Sequence, residues 1–338
     1  MKKIKPVLAA IAAAMMITSC QTEDTNDLKE SNLSEKIMNP EKAFPESIGK
    51  AKTMYYGTSK LNLEKINNVY VLDGDILFNP NQLTQLPDEV GAPSLEESPV
   101  KSVGRTGGRW LNNTVYYDIE PSLVNQRRVT DAIEHWEKNT ALRFLKRTNQ
   151  TDYIYFKTGD GCSSFLGRIG GRQSINLAPG CSLGNTIHEI GHTVGLYHEQ
   201  SRKDRDEYIT INTDNILDDY KHNFKTYIEQ GSDGDEYTSV LDFGSIMMYG
   251  PKFFSKNNLP TIEKKDGSSY KIQRNGLSSE DVKGINQMYP PAGGKDRCSG
   301  VAPYNNRRNY RIGSRVTYKG YLFERVWSGW NSLGKCGS

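Results

Sequence analysis

Between Gly184 and Tyr208 the chain reads GNTIHEIGHTVGLYHEQSRKDRDEY, and no other stretch restricts the fold as much. His188, Glu189 and His192 form a His-Glu-x-x-His pattern. Four residues of an α-helix advance by only about 40° around the axis, so His188 and His192 project from one face. Two neutral imidazoles held that way, with a carboxylate beside the first, suit Zn²⁺ and a general base for its water. His198 follows six residues after His192, roughly 240° further round if the helix continued. Gly195 removes that conflict, because glycine takes the positive φ that stops a helix and turns the chain back. Three imidazoles then leave the fourth position of a tetrahedral ion open, as a reactive site needs and a structural one does not.

His188, Glu189, His192, Gly195 and His198, followed by Glu199-Gln200-x-Arg202-x-Asp204-Arg205-Asp206, resemble the zinc signature of the astacin metalloproteases. The resemblance covers Tyr70 to Phe78 and Trp110 to Tyr289, and is similar in particular to bacterial members of the flavastacin and myroilysin type. It implies an α+β, two-lobed metzincin catalytic domain with a twisted mixed sheet, two long helices and a less regular C-terminal lobe. One Zn²⁺ per domain on His188, His192 and His198, with Glu189 as general base for hydrolysis of protein or peptide substrates, is implied too. Asp242-Phe-Gly-Ser-Ile-Met-Met-Tyr-Gly250 resembles the methionine turn, with Met247 as its methionine and Tyr249 as the tyrosine that supports the oxyanion. Met248 departs from the histidine usual there. Arg274 resembles an arginine that in some astacins favours acidic side chains after the scissile bond; read alone, it fits a solvated arginine as well. Glu199 is not a ligand and, by the same resemblance, receives the new N-terminus after activation.

Lys2, Lys3 and Lys5 ahead of an apolar run from Val7 to Ile17 read as a targeting segment, too short to span a bilayer. Ile17-Thr18-Ser19-Cys20 resembles a bacterial lipobox, implying a lipoprotein signal over 1–20 and a lipid on Cys20; an ordinary secretory signal is the alternative. The precursor is thereby expected at the cell surface or outer membrane, with the mature protease released. Four further cysteines can pair in an exported protein and allow three connectivities. The family resemblance implies Cys162–Cys181, and Cys298–Cys336 then closes the C-terminal segment. The family's second disulfide has no counterpart, since Ala141 stands where its first cysteine is expected.

Residues 21–105 read as a propeptide. Its Tyr70-Val-Leu-Asp-Gly-Asp-Ile-Leu-Phe78 resembles the segment whose aspartate ligates zinc in astacin zymogens, which puts Asp75 in that role. An Asp-Gly-Asp hairpin turn is the bland reading, and Cys20 a competing inhibitor whose thiol lipidation would block. Exposed basic residues in flexible chain attract processing proteases, so activation is expected between about 100 and 109, after Arg105.

The protease domain is expected over 106–291. A strand is read at Thr114–Ile119, and a helix over 124–140 from Val129, Ile133 and Trp136 at helical spacing. His135 on that helix is taken as a surface histidine, and His222 has no partner at ligand spacing. Tyr153–Phe156 alternates as a strand, and Gln173–Leu177 is expected to be the edge strand bordering the cleft, where a peptide could add. A helix capped by serine should end near Tyr289. Beyond the Pro290–Gly294 linker, residues 296–338 read as a small disulfide-bonded β-module resembling carbohydrate-binding ones. Tyr318, Trp327 and Trp330 are its candidates for stacking on a polysaccharide or glycan.

A net charge of +3 with scattered basic residues points away from nucleic acid. A glycan-binding surface protein with a lapsed protease domain is the rival reading. The intact ligands, base and tyrosine weigh against it.

Overall fold

A computed structural model describes residues 41–56, 59–86, 102–105, 108–232 and 234–291, and, within 298–336, all but 299, 306–307, 309, 311–312, 319–320 and 327–328. The signal segment 1–20, Cys20 and Trp327 lie outside the described residues. Among the described residues no helix is long and apolar enough to cross a membrane.

Four strands come first: β1 (Lys50–Tyr56), β2 (Ser59–Ile66), β3 (Val69–Leu72) and β4 (Ile76–Phe78), paired antiparallel in succession. A short β5 (Ser102–Gly104) follows, then β6 (Thr114–Ile119), helix α1 (Arg127–Asn139), β7 (Arg143–Lys146), β8 (Tyr153–Lys157), β9 (Cys162–Phe165) and β10 (Arg172–Leu177). Helix α2 (Leu183–Thr193), β11 (Ile209–Ile211), β12 (Asp235–Tyr237), β13 (Ile262–Lys264) and helix α3 (Ser279–Met288) complete the central region. A three-stranded antiparallel sheet of β14 (Arg315–Tyr318), β15 (Tyr321–Val326) and β16 (Gly329–Lys335) ends the chain.

The main sheet has nine strands in the order β1-β2-β3-β4-β9-β10-β8-β6-β7 and is mixed. It is built from two parts of the sequence. Residues 50–78 contribute β1 to β4, and β4 joins β9 in parallel, Ile76 opposite Ser164 and Leu77 opposite Phe165. Alternating burial along β8 and β10 turns Ile154, Phe156, Ile175 and Leu177 toward the helices. From α1, Val129, Ala132, Ile133 and Trp136 meet them, a stripe of four residues at helical spacing. The C-terminal lobe has its own core around Ile209, Phe224, Met248, Tyr249 and Ile262.

Three sequence expectations give way. Gln173–Leu177 is not an edge strand: β10 is paired on both sides, by β8 and β9. β9 lies between β4 and β10 in the sheet, and its Cys-Ser-Ser-Phe lacks the β-branched run that marks a strand in sequence. Helix α1 starts at Arg127 rather than 124. His135 is half-buried rather than on the surface, because its Nε2 accepts the Leu277 backbone N–H at 2.9 Å.

Arg105 also departs from its expected exposure. It is only 9% exposed, its N–H donates to the Gly195 carbonyl at 2.8 Å and its own carbonyl accepts from the Tyr237 hydroxyl at 3.2 Å. The preceding β5 pairs antiparallel with β12, and the Tyr197 N–H donates to the Val103 carbonyl. A protease cannot engage chain fixed in this way, so Arg105 is unsuited to be the processing site.

Candidate metal centre

Ser182 starts α2 by accepting the Asn185 N–H, while the Asn185 side chain accepts the Ser182 N–H. The helix is buried from Gly184 to Thr193, so both of its histidines face the interior. It stops where the sequence demands. Gly195 has a φ of +108°, the left-handed side that only glycine takes without strain. Three residues later His198 is fully buried and meets the other two rings, with centroids 5.3 Å from His188 and 4.6 Å from His192.

The turn before Tyr249 closes the site from below. Met247 is buried, and a Cβ on Gly191 would lie 2.7 Å from its Sδ, so helix and turn touch because that residue is glycine. His188 Nδ1 donates to the Ile246 carbonyl and His192 Nδ1 to the Leu196 carbonyl, each at 2.8 Å. These bonds leave Nε2 as the lone-pair nitrogen on both rings and aim it at a common point.

A carboxylate from the turn between β3 and β4 sits at that point. Asp75 Oδ2 lies 3.4 Å from His188 Nε2 and 3.2 Å from His198 Nε2, and Oδ1 lies 3.4 Å from His192 Nε2. Spacings of about 3.3 Å are those of donor atoms around one tetrahedral ion with bonds near 2.0–2.1 Å. His188 Nε2, His192 Nε2 and Asp75 Oδ1 have no hydrogen-bond partner among the described residues, although all are buried. A divalent cation would satisfy them together, and these four residues are a group able to hold one ion. Without an ion, burial pushes His188 down to about 3. Burial acts likewise on His198, but the Asp75 and Asp73 charges outweigh it and lift the ring to about 9. A cage that draws a proton onto one imidazole has the polarity to draw a cation.

Glu189 lies beside this group, buried, with neither carboxylate oxygen partnered among the described residues. Burial, and next the Asp75 charge, push its carboxyl well above the usual range. Tyr249 is buried with its ring centroid 4.5 Å from that of His198, and its hydroxyl donates to the Asp73 carbonyl. Glu199 stays out of the group: its Oε1 accepts the Asp242 N–H at 2.9 Å and lies 3.5 Å from Arg202.

Sequence reasoning missed Asp73. Its carboxylate lies 3.9 Å from His198 Nδ1 and accepts from Gln230 Nε2 at 3.1 Å, so it backs the third ligand while its carbonyl engages Tyr249. The signal was present in the doubled acid of Asp-Gly-Asp. Arg274 is not solvated: it forms an ion pair with Glu41. Both expected disulfides, Cys162–Cys181 and Cys298–Cys336, are formed.

In the C-terminal module Tyr318 is 49% exposed and lines, with Val301, Pro303, Tyr304 and Thr317, a cavity of about 450 Å³. Trp330 packs its ring against Tyr304 and Tyr310. Tyr304 was not among the candidates drawn from the sequence, because it lies in a loop before β14 that carries no strand periodicity.

Helix, glycine turn, third imidazole and methionine turn stand here in the relation that defines metzincin zinc sites. The chain is more than a member of that class. The family model described as "Astacin (Peptidase family M12A)" matches residues 102–290, and the chain belongs to this family of zinc metalloendopeptidases. It is 37% identical over 222 residues to Zinc metalloproteinase nas-13 of Caenorhabditis elegans, covering 64% of this chain and 48% of that one. It is 37% identical over 207 residues to Flavastacin of Elizabethkingia meningoseptica, covering 57% of this chain and 44% of that one. Among solved structures, High choriolytic enzyme 1, a hatching enzyme zinc-protease from Oryzias latipes, superposes with a TM-score of 0.50 and 32% identity. That match covers 54% of this chain and 93% of the hatching enzyme. The chain thus spans less than half the length of these two curated relatives.

Proposed function

We propose that the chain is the latent precursor of a zinc-dependent endopeptidase acting on protein or peptide substrates. One observation carries this reading: a prosegment carboxylate, Asp75, sits at 3.2–3.4 Å from the Nε2 atoms of His188, His192 and His198, beside the unpartnered Glu189. His188, His192 and His198 would hold the ion, with Asp75 in the fourth position before activation. Zinc bound there supplies Lewis-acid chemistry, lowering the pKa of a water from about 15.7 to near 7 and polarising a carbonyl.

Glu189 takes the proton of the attacking water and passes it to the leaving amine nitrogen, so one carboxylate serves both halves of the reaction. The Tyr249 hydroxyl, freed from the Asp73 carbonyl, donates to the oxygen on which charge develops, a contribution of about 3 kcal/mol for such a donor. The prosegment therefore disables two elements at once, filling the metal position with Asp75 and engaging Tyr249 with Asp73. The segment 102–105 stays with the protease domain, since it is already a strand of that fold. Arg274 favours an acidic side chain after the scissile bond, and Glu199 receives the new N-terminus. A lipid on Cys20 anchors the precursor, and the C-terminal module presents Tyr304 and Tyr318 to a glycan.

Casein zymography with and without a zinc chelator tests the activity, and Glu189→Ala tests the mechanism. The variant should retain zinc and lose turnover by several orders of magnitude. Casein cleavage at the wild-type rate would falsify the assignment of Glu189.

A further inference from the structure

The prosegment enters the cleft at a second place, 34 positions earlier in sequence than Asp75. The Glu41 carboxylate takes two hydrogen bonds from one guanidinium, Arg274 Nε to Oε1 at 2.6 Å and Nη2 to Oε2 at 3.0 Å. Asn185 Nδ2 adds a third, to Oε1 at 3.0 Å. Asn185 precedes His188 by three residues on α2, so it lies one helical turn from the metal-facing side. Arg274 also donates to the Met248 carbonyl at 3.2 Å, the residue between the turn methionine and Tyr249. The two charged side chains are only 12% and 14% exposed. Arg274 and Asn185 thus form a carboxylate-binding notch within the reactive region.

Residues 41–46 run through turns and bends, with the Ser47 N–H donating to the Phe44 carbonyl at 3.2 Å, and are pinned at several points. The Ala43 N–H donates to the Gly74 carbonyl at 2.8 Å, which ties this segment to the loop that delivers Asp75. Lys42 Nζ donates to the Tyr220 hydroxyl at 3.1 Å on the C-terminal lobe. Opposite, a Cβ on Gly161 would lie 1.7 Å from the Lys42 carbonyl oxygen, so the rim admits the chain only because that residue is glycine. A bidentate guanidinium–carboxylate pair is strong and geometrically selective. Left unpaired in a confined space, the same guanidinium is costly, so the notch calls for an anionic side chain whenever peptide fills the groove.

We propose that Glu41 is a second plug: an acidic prosegment side chain occupying the Arg274–Asn185 notch, so that latency rests on two carboxylates rather than on Asp75 alone. This rests on the reading of the chain as a protease held latent by its prosegment. The ligand class of the notch is a peptide side-chain carboxylate.

The test uses the full chain. Asp75→Ala frees the metal position but leaves Glu41 in place, and its casein hydrolysis should rise roughly tenfold further when Glu41→Gln is added. A synthetic peptide of residues 39–46 should inhibit that double variant. Its Glu41→Gln form should not, and neither peptide should act once Arg274→Gln is introduced. Hydrogen exchange gives a readout independent of activity. Glu41→Gln alone should speed exchange over residues 41–47 about tenfold and leave β2 unchanged, and the reversed pair Glu41→Arg with Arg274→Glu should restore protection.

If the double variant is no more active than Asp75→Ala, and exchange over 41–47 is unchanged, the second plug is wrong while the protease reading stands. If no variant hydrolyses casein but exchange responds as expected, the notch and its occupant stand and the protease reading fails.

Discussion

Gly195 carries a φ of +108°, and a Cβ there would approach Arg109 Nη1 and Met288 Cε at 3.3 Å. Strain of this kind costs about 1–3 kcal/mol, and relieving it would move the chain that leads to His198. Gly195→Ala is therefore expected to lower bound zinc well below one per chain as well as reduce activity, read by metal analysis of the purified protein. Tyr249→Phe should separate binding from chemistry. The ring keeps its contacts with His198, Phe253 and Phe254 while the donor is lost. Zinc content should hold and kcat should fall about a hundredfold. At this scale the sequence was most legible, because ligand spacing on a helix and a glycine at the break leave few geometries for three imidazoles. It was least legible for Asp73, Asn185 and Glu41, whose partners are 125, 144 and 233 positions away in sequence. No local pattern encodes such pairs.

Elements were legible where their periodicity is their own. Helix α1 shows its buried stripe in sequence and is found within three residues of its expected start. Strand β9 was hidden, and β10 misplaced to an edge, because a strand's place in a sheet depends on pairing and not on composition. The environment of His135 was set the same way. Its Nε2 accepts a backbone N–H from the loop before α3, and burial followed by the Lys138 charge lowers its pKa. The fold thus favours the neutral ring. Its contribution is complete above the unfolded value of about 6.5 and is lost as pH falls from there toward the lower folded value. Thermal melts between pH 7 and 5 should show a smaller acid-induced drop in Tm for His135→Leu than for the unaltered protein. The Cys162–Cys181 disulfide joins β9 to the residue before the α2 cap across a separation of 19 residues. Replacing both cysteines with serine should cost about 3 kcal/mol and lower Tm by several degrees.

For the molecule as a whole, the segment 41–78 is a structural partner of the region matched by the family model rather than a tail attached to it. Its apolar side chains Leu63, Leu72 and Phe78 share a core with Leu166, Tyr197 and Tyr227 from beyond residue 102. Asp75→Ala removes one side chain, with its three imidazole contacts, from this surface and leaves the apolar core. Melting of the full chain should therefore change little while zinc becomes accessible to chelators, followed as a faster rate of metal loss. The family match covers only residues 102–290, and the strands ahead of it find their place by completing the edge of a sheet that the later sequence builds. That joint outlasts any cut made between residues 86 and 102. A severed molecule would remain a two-chain complex, with four borrowed strands still joined to β9 through β4. Scission and onset of catalysis would then be separate events, with a lag between them that shortens on dilution or when a third protein strips the freed fragment away.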